Sequence, residues 1–112
     1  MDGNIIVADG SNHRVQVLRP DGTFVRSFGT QGSGAGQMRQ PFGVAVDRDG
    51  CIAVSEFANH RVQVFGPDGR VVRSFGSQGA GPGQLQYPYG VAVDGEGKML
   101  VADNGNGRVQ VF

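Results

Sequence analysis

Residues able to do acid–base, metal or nucleophilic chemistry are few in this chain, and nearly all of them recur at one interval. His13 and His60, the two histidines, occupy equivalent slots 47 residues apart. Asp9 and Arg14, Glu56 and Arg61, and Asp103 and Arg108 repeat one acid-to-arginine spacing at that same interval. Two imidazoles in equivalent slots could face each other across a metal ion, but neither loop offers a third ligand at metal-site spacing. A carboxylate and an arginine flanking a short loop can instead pair and pin its ends, so the three pairs read as structural loop clamps. No Ser-His-Asp, Cys-His or paired-carboxylate arrangement escapes the repeat pattern, and the glycine-rich segments follow no phosphate-binding pattern. The expectation is a chain without enzymatic activity, metal or cofactor. Cys51, the single cysteine, excludes an intramolecular disulfide and reads as a small apolar strand residue.

The elements that must position these residues are copies of one unit. Asn12 to Val17 reads NHRVQV, Asn59 to Val64 repeats it, and Asn106 to Val111 reads NGRVQV. Pro41 to Asp47 (PFGVAVD) maps onto Pro88 to Asp94 (PYGVAVD), and Arg26 to Gly29 onto Arg73 to Gly76. The chain is about 2.4 copies of this unit, and self-similarity at such a period marks a stacked or radial repeat fold.

Within the complete unit, Gly43 to Val46 is a short apolar run ahead of an Asp47-Arg48-Asp49-Gly50 turn, and Cys51 to Ser55 is a second run. Arg61 to Phe65 alternates polar and apolar, as a strand with one buried face should. Glu56 to His60 is the loop between them. Pro67-Asp68-Gly69 turns the chain into a fourth strand, Val71 to Phe75. The segment after Phe75 is too rich in glycine for helix or strand and reads as a crossover. Four antiparallel strands and a crossover, repeated, predict β-propeller blades.

Ten basic residues, nine of them arginine, balance ten acidic ones, so no bulk charge draws the chain to nucleic acid or anionic lipid. Twenty glycines and five prolines fall at fixed repeat positions between apolar runs, which places them in turns and excludes disorder. No apolar run approaches the roughly 18 residues of a membrane span, and Met1 leads into repeat sequence without signal-peptide features. With a single cysteine, this favours a cytoplasmic setting and no membrane partner.

NHRVQVF with its upstream AD or SE, PFGVAVD, and FG followed by a glycine-rich GQ segment closely resemble the NHL repeat, over the whole chain. The resemblance implies a propeller that typically closes with six blades. It also implies one of several settings: tripartite-motif ubiquitin ligases, RNA-binding translational repressors, an amidating lyase or bacterial proteins. It implies, further, that His13 and His60 belong to the structural motif.

The expected partition is a single NHL segment over residues 1–112, with a partial blade at 1–40, a full blade at 41–87 and a partial blade at 88–112. Its ten strands cannot close a propeller of roughly four to eight blades. The chain is expected to be part of a longer propeller, or to be completed by self-association into about six blades. Loops between second and third strands should share one face with the crossovers. That face is where the repeats differ, with Phe57 and Asn104 from the loops and Met38, Arg39, Gln40, Phe42, Gln86, Tyr87 and Tyr89 from the crossover ends. Exposed aromatics beside Gln, Arg and Asn suit protein partners first and RNA second. Arg39 is the one basic residue there, and exposed clamp carboxylates would make the face slightly negative.

Overall fold

The computed structural model describes residues 3–112; Met1 and Asp2, which the expected first partial blade includes, lie outside the described residues. Ten strands form three antiparallel sheets in chain order. The first sheet is β1 (Ile5–Asp9), β2 (Arg14–Leu18) and β3 (Phe24–Phe28). A short crossover pair follows, β4 (Thr30–Gln31) and β5 (Gln37–Met38). The second sheet is complete, with β6 (Pro41–Val46), β7 (Ile52–Glu56), β8 (Arg61–Phe65) and β9 (Val71–Phe75). The third is β10 (Pro88–Val93), β11 (Met99–Asp103) and β12 (Arg108–Val111). The chain is an all-β partial propeller, with strand order within each sheet as the repeat predicts.

Turn chemistry fixes the meanders. Asp47 accepts Gly50 N–H on its carbonyl at 3.0 Å, while its carboxylate takes the N–H groups of Asp49 and Cys51 at 2.9 Å each. Asp94 repeats this for Gly97, Glu96 and Lys98. An aspartate at the first corner and glycine at the fourth, with φ 83° at Gly50, close the turn without strain.

Two apolar layers lie between the sheets. Val15 of the first blade meets Ile52, Val54 and Phe65 of the second, and Ala53, Val62 and Val64 of the second meet Met99 and Val101 of the third. Each layer is sealed by a residue from the crossover: Met38 in one, Leu85 in the other, both without solvent exposure. Met38 therefore does not belong to the variable face on which its sequence position put it. It is the counterpart of Leu85 and plugs the core between blades.

The structure corrects three further expectations. The crossovers are not strandless: β4 and β5 pair in parallel, and Gln78 bridges Leu85 in the same manner in the second crossover. β6 begins at Pro41 and β7 ends at Glu56, so both strands are extended toward the loop face. Two of the three clamp carboxylates add no charge to that face, since Glu56 and Asp103 have no exposure, and the third, Asp9, is partly exposed but paired with Arg14. Cys51 sits half-buried just before β7, where burial, with Asp47 nearby, raises its thiol pKa.

Candidate functional site

Two layers of structure build the loop face, a buried polar clamp beneath and an aromatic ladder above. In the second blade the clamp centres on the Glu56 carboxylate, at the end of β7. It accepts Asn59 Nδ2 at 2.8 Å, Arg61 Nε at 3.0 Å and Gln63 Nε2 at 2.7 Å. The same three side chains carry spare donors outward to the crossover backbone. Asn59 bonds Gly32 O at 2.9 Å, Arg61 bonds Ser33 O and Gln37 O at 2.8 Å each, and Gln63 bonds Gln37 O at 2.6 Å. Gln63 Oε1 in turn accepts Gly36 N–H at 3.0 Å.

The third blade repeats this around Asp103, with Asn106, Arg108 and Gln110 holding Gly79 O, Gly81 O and Gln84 O. Burial opposes ionisation of Asp103, but hydrogen bonds from Asn106, Gln86 N–H, Arg108 and Gln110 outweigh it and hold the carboxyl below its ordinary range. In the first blade Asp9 takes Arg14, Asn12 and Gln16, and the Arg14 and Asn12 bonds lower its pKa. Sequence reasoning named only the acid and the arginine of each clamp. The asparagine and glutamine recur at the same interval, which was the available signal.

The histidines also serve the crossover. Each takes left-handed backbone (φ 54° at His13, 53° at His60), and its Nδ1 accepts a backbone N–H at 3.0 Å, from Gln40 and Tyr87 respectively. Gln40 and Tyr87 are themselves left-handed, at φ 49° and 50°. Such a conformation is uncommon for non-glycine residues and persists where the surroundings over-determine it. Burial lowers the His60 pKa, which favours the neutral ring that can accept at Nδ1. Among the described residues, no group of three or more His, Cys, Asp or Glu is placed to hold a metal ion.

On this frame stand the rings. Phe42 and Tyr89, equivalent residues of β6 and β10, stack with centroids 4.7 Å apart and planes within 15°. Phe57, on the 3-10 turn Phe57–Asn59, stacks on Tyr89 at 5.6 Å and 18° and touches Tyr87 at 4.9 Å. Tyr87 meets the His60 edge at 4.5 Å. The inner strands approach closely enough for this because β6 carries glycine where it faces β10: a Cβ on Gly43 would lie 2.9 Å from Gly90 Cα. Ser55 locks the approach, accepting Gly43 N–H at 2.9 Å and donating to Tyr89 O.

Phe42 remains 57% exposed, Tyr87 40% and Tyr89 39%. Together with Gly10, Ser11, Gln40, Pro41 and Phe57, Phe42 and Tyr89 line a pocket of about 310 Å³. Arg39 and Gln40 are exposed beside it, Asn104 is exposed on the matching turn of the third blade, and Gln86 is half-buried, its carbonyl accepting Gly105 N–H. A second cleft of about 360 Å³ opens on the other face between the first two blades, with mainly apolar walls including Ile6, Val17, Ile52 and Pro67.

The family model of the NHL repeat matches residues 2–18, 38–65 and 85–112, more than half of the chain. The chain belongs to the NHL repeat family. Over 46 residues the NHL segment is 48% identical to the RING finger protein nhl-1 of Caenorhabditis elegans, covering 41% of this chain and 5% of that protein. A Bacteroides thetaiotaomicron protein of unknown function superposes with TM-score 0.79 at 22% identity, over 98% of this chain and 32% of that one. A streptogramin B lyase superposes with TM-score 0.72 at 16% identity, over 99% of this chain and 37% of that one. The glutaminyl cyclase of Myxococcus xanthus superposes with TM-score 0.65 at 19% identity, covering 53% of that chain. At these identities the likeness is one of fold. The NHL segment spans a small part of nhl-1 and between about a third and a half of these structures.

Two outcomes follow from the clamp. Arg61→Ala strips the arginine from a buried carboxylate and should cost about 3 kcal/mol or more in urea unfolding. Arg14→Ala, at a partly exposed pair, should cost much less. For His60 the folded pKa lies below the unfolded value, so its contribution is intact above that value and is lost as pH falls. Protonation of Nδ1 removes the acceptor of Tyr87 N–H. Tyr87 amide exchange, corrected for intrinsic rate, should therefore accelerate from about pH 6.5 downward, and His60→Asn should flatten that dependence.

Proposed function

We propose that this NHL segment is a non-catalytic scaffold that binds protein partners through its aromatic face. The observation that carries the reading is the ladder of Phe42, Tyr89, Phe57 and Tyr87, in which Phe42, Tyr89 and Tyr87 are exposed and half-buried Phe57 ties them together, where the repeats differ from one another. Rigid aromatics supply large contact area at low entropic cost, and interface energy concentrates on such anchors. The likeness to a RING finger protein supports a narrower form, in which the face selects substrates for a ubiquitin ligase.

RNA is the second reading, favoured by the same rings, which suit stacking on unpaired bases. Protein ranks first because Arg39 is the one basic side chain among the expected face residues, and affinity for nucleic acid follows the phosphates neutralised. A metal-dependent lyase ranks last, since His13 and His60 each commit Nδ1 to a backbone N–H. No helix among the described residues is long and apolar enough to cross a membrane, and a cytoplasmic setting belongs to this proposal.

The scaffold is proposed to work as part of a larger ring, built from further repeats or a second copy. Val109 and Val111 of β12, 63% and 60% exposed, are the counterparts of Val62 and Val64, which are buried against the third blade. They offer a neighbouring blade the same apolar surface.

Selection from a random peptide library against the full chain at about 0.15 M salt, alongside a pool of single-stranded oligoribonucleotides, tests the reading. Peptides should be enriched by the native chain and lost with Phe42→Ala/Tyr89→Ala, with little RNA retained. Retention of RNA without peptide enrichment would make RNA the ligand.

A further inference from the structure

The first and second blades leave open a place that the second and third blades fill. Phe57, at the head of the second blade's 3-10 turn, stacks on Tyr89 of the third blade and touches Tyr87. One repeat earlier the same three slots hold Gly10, Phe42 and Gln40. Only Phe42 is a ring there, and it is 57% exposed. The pocket of about 310 Å³ opens beside it, walled by Gly10, Ser11 and Gln40 together with the rings of Phe42, Phe57 and Tyr89. The contrast is between side chains in matched slots of one chain.

The ring that closes the later position indicates what the earlier one would accept. A flat apolar ring can lie against Phe42 as Phe57 lies against Tyr89, and offset-stacked aromatic pairs contribute beyond their buried area. The chain has little room to supply that ring from its own turn, since a Cβ at residue 10 would begin 3.0 Å from Pro41 O. The rim is polar. Gln40 is bonded through its backbone alone, and among the described residues neither its carboxamide nor the Ser11 hydroxyl has a partner, where the next blade carries Tyr87 and Ala58. No charged side chain lines the opening, so a neutral ring with one polar edge suits it better than an ion.

We propose that this opening is an anchor slot for a single tyrosine side chain of a protein partner, its ring against Phe42 and its phenol hydroxyl bonded to Ser11 or Gln40. The inference rests on the reading of the aromatic face as a protein-binding surface, and names the residue that surface selects. Tyrosine is among the residues on which interface energy concentrates, because it buries a rigid ring and keeps one polar contact. A nucleobase has a similar shape but brings phosphate, and nothing lining the slot neutralises it.

N-acetyltyrosinamide titrated into the isotope-labelled full chain is the direct test, with N-acetylphenylalaninamide, N-acetylleucinamide and adenosine monophosphate alongside. Expected are saturable shifts centred on Gly10, Ser11 and Phe42, with a Kd of about 1–10 mM for the tyrosine compound. The phenylalanine compound should bind about two- to tenfold more weakly for want of the hydroxyl bond, and the leucine compound more weakly again for want of stacking. Ser11→Ala/Gln40→Gly, in which glycine suits the left-handed backbone at residue 40, should bring tyrosine down to phenylalanine. Phe42→Leu, at an exposed side chain, should bring phenylalanine down to leucine. Equal binding of the three compounds, shifts centred elsewhere, or tighter binding of adenosine monophosphate would overturn the proposal, the last by making the slot a base site. Peptides selected by the native chain should carry an enriched tyrosine. Peptides that depend on Phe42 and Tyr89 yet show no such enrichment would remove the slot and leave the protein-binding face standing, whereas a selection that enriches no peptide would sink both.

Discussion

A carboxylate removed from water costs several kcal/mol unless charged and polar donors surround it, and the fold is arranged around two such groups. Glu56 and Asp103 have no solvent exposure, and each is met by an asparagine, an arginine and a glutamine from the following turn and strand. Satisfying the carboxylate fixes those three side chains. Their remaining donors then point at the crossover, a segment with too little apolar surface to fold on its own account. Ordering it places Met38 and Leu85 as plugs between blades, so a buried charge and an apolar core are closed by the same loop.

The ladder of rings depends on that arrangement. Left-handed backbone at Gln40 and Tyr87 turns the chain from crossover into inner strand, and the histidine nitrogens hold it there. Residues repeated between copies thus build the frame, with Gly107 in the histidine slot of the third, and residues that differ between copies stand on the face the frame presents. Gly10, Phe57 and Asn104 occupy one slot, yet only Phe57 completes a stack with Tyr89. The chemistry of recognition lies in these exceptions to the repeat.

Much of this was legible from spacing. Strand order, turn positions and the acid-to-arginine pairing follow from a motif that recurs with its polar and apolar alternation intact. Met38 was misplaced because alternation says nothing inside a glycine-rich loop. Comparison with Leu85 one repeat later, also apolar, would have marked the slot as core. The short pairing of β4 with β5 was hidden for the same reason, since it rests on main-chain geometry held by Gln63 and Arg61 from another strand. Burial of Glu56 was concealed by its charge, which ordinarily signals surface; the asparagine and glutamine beside it were the sign that its hydrogen bonds were provided for. The contact of Phe42 with Tyr89 required knowing that Gly43 lets two inner strands approach.

Hydrogen exchange at the Gly36 and Gly83 amides tests the central claim most directly. Both lie in glycine-rich segments that would exchange freely if the loops were loose, and each donates to a clamp glutamine, at 3.0 Å to Gln63 and 3.1 Å to Gln110. If the buried clamps order the crossovers, both amides exchange far more slowly than unstructured glycine and lose protection when Gln63 or Gln110 is replaced by alanine. Exchange at the rate of a free glycine-rich chain in the native protein would contradict the account.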